Sequence, residues 1–198
     1  MAHLLPAQGQ WTEEDYLALD TNHIVEFSNG RLEVPPLPTT SHQLLVAYLF
    51  SLLSSFTASK KLGMTLFSAL PVRLWEGKYR EPDVVFMHKE HADRIHDEWW
   101  DGADLVMEVV SKDAKGRRRD LVTKRREYAR AGIPEYWIVD PQEERITVLR
   151  LVGKRYVVHG AFGAGTIASS PLLEGFTVDV AKVLARRLPD AKRARRPR

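Results

Sequence analysis

A single glutamate interrupts an otherwise apolar run near the middle of this chain. Glu108 lies within residues 105–110, where every other residue is Leu, Val or Met. A run this short and this apolar predicts a strand that is buried on both faces. An ionised carboxylate at such a position is costly unless it is paired with a cation or binds a metal. The chain must therefore fold so that this strand brings Glu108 to a positive partner.

A second carboxylate stands at the start of another apolar run. Asp83 follows Pro82 and precedes the apolar residues 84–86, 25 positions before Glu108. Two carboxylates on neighbouring strands supply the oxygen ligands that a hard divalent cation requires. The sequence contains no cysteine, which excludes disulfides, thiolate zinc sites and cysteine nucleophiles. Any metal must therefore bind oxygen or imidazole ligands.

Length and charge distribution indicate one globular body followed by a short basic tail. With 198 residues, of which 44% are apolar, the chain fits a single domain, which we place at residues 1–185. Residues 186–198 hold seven of the 29 basic residues and one of the 26 acidic residues, which leaves the body with 22 basic and 25 acidic residues, a formal charge of −3. We expect this tail to be disordered. It either attracts nucleic acid weakly or only aids solubility.

The sequence carries no membrane signal that we recognise. Residues 1–10 lack a positive end followed by an apolar core, and no run approaches the roughly 20 apolar residues that span a bilayer. We therefore expect a soluble, cytoplasmic protein.

Local patterns predict a mixed α/β structure. Helix signals, among them a capping box that begins at Thr12, occur at residues 12–19, 40–56 and 116–131. Strand signals, among them a hairpin around Asn29-Gly30, occur at residues 23–27, 31–34, 64–68, 70–75, 79–87, 104–110, 135–140, 145–151 and 155–159. Residues 88–102 are charged and predict a surface loop or short helix that carries Trp99 and Trp100. The order strand, strand, helix, strand predicts an α/β layer structure with a mixed sheet.

The helix at residues 116–131 places a lysine on its inward side. Leu121, Tyr128 and Ala131 form its apolar stripe at about 100° per residue, and Lys124 falls between them. One interpretation is that the Lys124 stem lies along apolar surface while its ammonium reaches water. The other is that the buried carboxylate of Glu108 on the preceding strand holds the lysine inside.

These residues carry a resemblance to a known family. The matching segments are Glu81-Pro82-Asp83, Glu108-Val-Val-Ser111, Arg119-Asp120-Leu-Val-Thr-Lys124 and residues 128–140. Together they resemble the Uma-two family of restriction endonucleases, within the PD-(D/E)XK nuclease superfamily, from the amino-terminal hairpin to about Val180. The resemblance implies a restriction-endonuclease-like core, in which helices flank a mixed central β-sheet, with a divalent metal at one edge. It also implies a homodimer.

The resemblance assigns roles to individual residues. Asp83 corresponds to the aspartate of the superfamily motif and Glu108 to its acidic partner. The chain departs from the motif at Val110, where the usual lysine is absent, and relatives of this kind supply the lysine from the following helix, here Lys124. Lys112 is the alternative lysine, and we rank it below Lys124.

Two further residues match the family pattern. Glu26 corresponds to a glutamate before the amino-terminal hairpin that completes the metal site, either by binding a second ion or by orienting the first. His42 lies in the first turn of the long helix, where family members often carry histidine. For His42, a helix-terminus histidine that is satisfied by backbone groups is an equal interpretation.

The chemistry of phosphodiester hydrolysis fits these residue types. Mg²⁺ or Mn²⁺ would bind Asp83, Glu108 and the backbone carbonyl of Val109, while Lys124 orients water or offsets charge. The sequence thus predicts a metal-dependent endonuclease that cleaves DNA. The alternatives are a catalytically idle module that binds nucleic acid or protein, and another metal-dependent hydrolase. Asp83 would then be a turn residue after proline, and Glu108 a buried salt-bridge partner of Lys124.

Overall fold

The computed structural model describes residues 5–21 and 23–188. Its helices are α1 (Glu13–Leu17), α2 (Thr40–Ser59), α3 (Ala114–Arg118), α4 (Lys124–Arg130) and α5 (Val180–Leu184). Its strands are β1 (Glu26–Ser28), β2 (Arg31–Glu33), β3 (Gly63–Phe67), β4 (Val72–Trp75), β5 (Lys78–Arg80), β6 (Val84–His88), β7 (Trp100–Asp101), β8 (Leu105–Val109), β9 (Glu135–Asp140), β10 (Arg145–Val152), β11 (Arg155–Gly163), β12 (Ile167–Ser169) and β13 (Thr177–Asp179).

A six-stranded sheet forms the centre of the molecule, in the order β11-β10-β9-β8-β6-β3. Strands β8 and β9 pair in parallel, whereas the other neighbouring pairs in this sheet are antiparallel. The parallel pair requires a crossover connection, which the helical residues 114–130 provide. The predicted α/β architecture with a mixed central sheet between helices is therefore confirmed.

Helix α2 covers one face of the central sheet. Its side chains Leu49 and Leu53 are fully buried and pack with Phe86 of β6 and Met107 of β8 in one apolar core. The helix is apolar nearly all round because α5 and the hairpin of β12 and β13 contribute to the same core. This explains why the sequence pattern of α2 lacks a clear polar face.

The second helical layer covers the opposite face. Alternate residues of a strand point to opposite sides, so Val106 faces Tyr128 of α4 while Met107 faces α2. Glu108 shares the side of Val106. The alternation of β8 therefore directs the one charge of this strand toward the helix that carries Lys124.

A smaller five-stranded sheet, in the order β2-β1-β5-β4-β7, packs beside the central one. The predicted hairpin joins β1 to β2 through Asn29 (φ 48°) and Gly30 (φ 75°), the left-handed conformation that this turn requires. Strand β5 pairs with β1 and thereby brings the amino-terminal hairpin toward the centre of the molecule.

Three local predictions are corrected by the structure. The single strand expected at residues 79–87 is two strands, β5 and β6, which belong to different sheets. Pro82 lies between them and has no N–H to donate, so the ladder breaks and the chain changes sheets there. The helix expected at residues 116–131 runs from Ala114 to Arg130 and contains a π-helical segment, Arg119–Thr123. Trp100 is buried in strand β7 and not on a surface loop.

The start of the basic tail packs on the body. Arg186 stacks over Tyr48, with its Cζ 4.3 Å from the ring centroid, and the Leu188 N–H donates to Ser41 Oγ at 3.1 Å. Residues 189–198, on which most of the disorder prediction falls, lie outside the described residues.

Within residues 5–21 and 23–188, none of the helices combines the length and the apolar character needed to cross a membrane.

Candidate active site

A cleft of about 1110 Å³ opens at the carboxyl ends of the parallel strands β8 and β9. Its walls come from the proline-rich residues 35–38, the first turn of α2, the end of β8 with the residues that follow it, the turn after β9 and the residues after α5. Open α/β sheets commonly bind ligands at this end of their strands, because the loops there diverge. Asp83, Glu108 and Lys124 all line the cleft.

Strand pairing brings Asp83 to Glu108. Strands β6 and β8 pair with Val84 opposite Met107, and this antiparallel register continues to place Asp83 across from Glu108. The backbone N–H of Val109 donates to Asp83 Oδ2 at 2.7 Å. The predicted juxtaposition of the two carboxylates therefore follows from the register of two central strands.

Glu108 is held by two donors from α4. The Lys124 ammonium and the Tyr128 hydroxyl both donate to Glu108 Oε1, at 2.7 and 2.6 Å. Burial raises the pKa of Glu108 to about 8, with the charge of Asp83 acting in the same direction and Lys124 opposing it. The carboxyl group thus ionises reluctantly unless a further positive charge arrives.

Lys124 lies inside the protein and does not reach bulk water. It is 3% exposed, and its ammonium contacts Glu26 Oε1 at 3.1 Å as well as Glu108. Burial alone would lower the pKa of Lys124, but these two carboxylates outweigh it and raise the pKa. The interpretation in which the lysine extends to solvent is therefore wrong.

The π-helical segment sets the position of Lys124. Asp120, within this segment, accepts from the N–H and the hydroxyl of Ser111 at 3.0 and 2.9 Å, and its carbonyl accepts from the Tyr136 hydroxyl at 2.9 Å. These bonds tie the wide turn to the residues after β8 and to the first part of β9, immediately before α4 begins. Short π segments inside helices often occur at functional sites.

Glu26 joins the cluster as a salt-bridge partner. Its Oε2 contacts Arg80 Nη1 at 2.5 Å while its Oε1 contacts Lys124. Burial raises the pKa of Glu26, but Lys124 and Arg80 outweigh it and lower the pKa to about 2. Both oxygens of Glu26 thus contact cations, which places Glu26 to orient Lys124.

Arg80 extends this ion network to the smaller sheet. Arg80 is 1% exposed, and its guanidinium contacts Glu127 of α4 through Nε at 2.7 Å and Glu33 of β2 through Nη1 at 2.9 Å. Lys78 also reaches Glu127, at 2.8 Å. Arg80 therefore ties the helix of Lys124 to the strand of Glu26.

We expect Arg80→Met to destabilise the fold by about 3–5 kcal/mol, because it leaves buried carboxylates without a counter-charge. Arg73→Met is the matched control, since the ion pair of Arg73 with Asp101 is far more exposed and should cost about 1 kcal/mol or less. Urea unfolding midpoints of the two variants measure the difference. Equal losses would show that the Arg80 network contributes little.

His42 lies in the first turn of α2 beside Asp83, a contact that the sequence analysis did not predict. Its Nε2 is 3.3 Å from Asp83 Oδ2, and its Nδ1 is buried without a partner in the described part of the chain. Burial lowers the pKa of His42, but hydrogen bonding to Asp83, the charges of Asp83 and Glu108 and the backbone of Val109 raise it overall. The imidazole thus supports Asp83 and is not merely satisfied by its own helix.

The oxygens that could hold a metal are open to the cleft. Asp83 Oδ1 and Glu108 Oε2 accept no hydrogen bond from the described residues, and neither is a buried unpartnered atom. Both therefore reach the solvent of the cleft. No three His, Asp or Glu side chains of the described ranges are grouped to bind an ion by themselves. Two carboxylates and a carbonyl nevertheless suit Mg²⁺, which keeps several water ligands.

Sequence reasoning missed several members of the cluster. Tyr128 was assigned to the apolar stripe, although its hydroxyl four residues after Lys124 was a usable signal. Arg80 and Glu127 gave no signal, because their pairing joins a strand of the smaller sheet to a helix 47 residues away in sequence. Lys112 is exposed on the cleft wall, and its side chain makes no ion pair within the part of the chain that the structure describes.

The chain belongs to the Uma-two family. The family model, described as "Putative restriction endonuclease", matches residues 13–181. This span contains the cluster of Glu26, Asp83, Glu108 and Lys124 and excludes the basic tail. The fold and the family together define a nuclease-type protein of the restriction-endonuclease-like class.

A solved structure supports the same fold. A crystal structure described as that of a "putative nuclease" from Anabaena variabilis superposes with a TM-score of 0.72 and 15% sequence identity, covering 90% of this chain and 99% of that chain. Identity this low establishes the architecture only. Among curated proteins, none matches the chain.

Proposed function

We propose that the protein hydrolyses DNA phosphodiester bonds with Mg²⁺ or Mn²⁺, as an endonuclease. The observation that supports this most directly is the pair of carboxylate oxygens, Asp83 Oδ1 and Glu108 Oε2, which reach the cleft beside a buried lysine. Asp83, Glu108 and the carbonyl of Val109 would hold the cation. When bound, the cation would offset charge on the phosphoryl oxygens and make water more acidic.

The residues of the chain have distinct tasks in this proposal. Lys124 directs its ammonium toward Glu108 and uses two contacts, with Glu26 and Glu108, so one of its three N–H groups remains for a water or a phosphate oxygen. Glu26 fixes the direction of that ammonium through its contact with Arg80. Such fixed donors stabilise developing charge without the reorganisation that water would need.

The deciding experiment incubates the purified protein with single-stranded and double-stranded DNA in Mg²⁺, in Mn²⁺ and in EDTA. Cleavage that depends on the metal and disappears in Asp83→Ala supports the proposal. A protein that binds DNA but never cuts it would instead be a nucleic-acid-binding module. A protein that neither binds nor cuts DNA would contradict the assignment of DNA as substrate.

We expect Mg²⁺ or Mn²⁺ to bind and to raise the melting temperature. Asp83 and Glu108 repel each other in the absence of the cation, and a ligand that binds only the folded state adds RT ln(1 + [L]/Kd) to its stability. A metal concentration of about 100 Kd would thus add roughly 2.7 kcal/mol. Calorimetric titration and thermal unfolding measure both quantities, with Asp83→Asn as the control. No binding at millimolar metal would refute the metal site.

We further propose that the protein acts as a homodimer, as the family resemblance implied. Sedimentation velocity of the full chain tests this directly.

A further inference from the structure

The cleft contains more negative than positive charge, although its proposed substrate is an anion. Among the described residues that line it, eight are Asp or Glu and four are Lys or Arg. A phosphodiester that enters this cleft must therefore find a cation with free donors. The four candidates are Lys112, Arg119, Lys124 and Arg187.

Three of these four cations offer a phosphate fewer fixed donors than the fourth. Lys124 is held between two carboxylates and keeps one free N–H group. Arg187 donates to the carbonyl of Pro141 and to Glu144 at the rim. Lys112 is exposed and has no partner within residues 5–21 and 23–188 that would fix its side chain.

Arg119 is held along one edge and free along the other. Its Nε donates to Asp120 Oδ1 at 3.1 Å and its Nη2 donates to Ser111 Oγ at 3.3 Å. Nη1 has no hydrogen-bond partner in the described ranges, yet it is not a buried unpartnered atom. The side chain is 23% exposed. A guanidinium has five donors, so three N–H groups of Arg119 remain available.

Arg119 lines the same cleft as Asp83, Glu108 and Lys124. Burial disfavours the charged guanidinium, but the carboxylates of Asp120, Glu26 and Glu108 outweigh burial and raise the pKa of Arg119. The side chain therefore stays charged beside the same carboxylates that define the site. Its orientation is fixed before substrate arrives, because Ser111 and Asp120 also bond to each other at 2.9 Å.

We propose that Arg119 is a catalytic residue whose free edge binds a non-bridging oxygen of the scissile phosphodiester. This inference rests on the proposed nuclease function and names the group that receives its substrate. An arginine fork suits this task, since its end-on N–H pair matches the geometry of phosphate oxygens.

The test compares Arg119→Ala with Arg118→Ala. Arg118 is the exposed neighbour, with no ion pair or hydrogen bond from its side chain in the described chain, so the control removes the same charge. Asp120 keeps its two donors from Ser111 when Arg119 is lost, so the fold should persist. Cleavage of a short DNA oligonucleotide in Mg²⁺ should fall about 10²-fold in kcat for Arg119→Ala and change little for Arg118→Ala. Arg119→Lys should recover only part of the loss, because it restores the charge without the fork.

Binding provides a readout that a structural role would not change. A fluorescein-labelled oligonucleotide is titrated in Mg²⁺ onto Lys124→Gln, a background with little turnover, with and without Arg119→Ala. Loss of Arg119 should weaken binding roughly 10-fold to 100-fold and lower the slope of log affinity against log salt by about 0.7–0.9.

Each of the other outcomes contradicts either the assignment of Arg119 or the proposed nuclease function. If the wild type cleaves and Arg119→Ala matches it, the assignment of Arg119 is wrong and the nuclease proposal stands. If Arg119→Ala lowers the melting temperature and metal affinity but leaves the salt slope unchanged, Arg119 is structural and the assignment is overturned. If the wild type neither binds nor cleaves DNA in Mg²⁺ or Mn²⁺, the proposed function fails and this inference fails with it.

Discussion

Lys124→Ala is expected to reduce DNA cleavage by about 10³-fold while metal binding is retained. The ammonium lies 2.7 Å from Glu108 and 3.1 Å from Glu26, so it acts beside the reacting groups without ligating the ion. Loss of a single fixed donor to transition-state charge costs about 10²–10³ in rate, and the loss of a full charge places this variant at the upper end. Single-turnover cleavage and calorimetric metal titration measure the two effects.

Two further variants make this result interpretable. Lys124→Ala leaves Glu26 and Glu108 without their shared counter-charge, which destabilises a buried site, whereas Lys124→Gln keeps a hydrogen-bond donor there. A comparable loss of cleavage in a folded Lys124→Gln protein would assign the effect to the missing charge. Lys112→Ala is the matched control and should cleave almost normally. An inactive Lys112→Ala beside an active Lys124→Ala would transfer the role to Lys112.

Glu108→Gln is expected to abolish detectable cleavage and metal binding, yet leave the metal-free protein equally stable or more stable. Burial and the charge of Asp83 raise the pKa of Glu108 from 4.5 to about 8, so the folded state binds the extra proton between these values. The contribution of this group to stability therefore falls as pH rises from about 4.5 to 8. The glutamine side chain avoids that cost and still accepts from Lys124 and Tyr128.

Thermal unfolding without metal, from pH 5 to pH 8, measures this prediction. The melting temperature of Glu108→Gln should rise relative to wild type with increasing pH, since only the wild type must keep a proton on residue 108 that its unfolded state releases. Unfolding of the variant at all pH values would instead identify Glu108 as a structural salt-bridge partner of Lys124. That outcome would contradict the assignment of Glu108 as a catalytic residue. It would not contradict the ion pair between Glu108 and Lys124.

The sequence indicated which sides of β8 and α4 face each other, because the direction of a side chain follows the period of its strand or helix. Strand alternation placed Glu108 and Val106 on one side of β8, and helical spacing placed Lys124 beside Tyr128. The two sides face each other in the structure, with Lys124 and Glu108 at 2.7 Å. An isolated charge on an apolar stripe is informative, because burying it without a partner is so costly.

Predictions of where strands and helical segments begin and end were less accurate, because these boundaries depend on tertiary contacts. Residues 79–87 were predicted as one strand, but their backbone enters two sheets on either side of Pro82. The π-helical segment Arg119–Thr123 was not predicted either, because a wide helical turn depends on hydrogen bonds between its side chains and distant residues. Ser111, which follows β8, donates to Asp120 only when the helix packs on the sheet.

By itself, therefore, the sequence determined the α/β class and the side of the helix on which Lys124 lies, since these follow from periodicity. It left open whether the Lys124 ammonium reaches water. Only the tertiary structure decided that the lysine is buried and how it is held. Glu26 and Arg80 are 54 residues apart and meet at 2.5 Å, and no local pattern encodes such a contact. The free edge of Arg119 was also decided in three dimensions, because hydrogen bonds to Asp120 and Ser111 fix which of its donors are used.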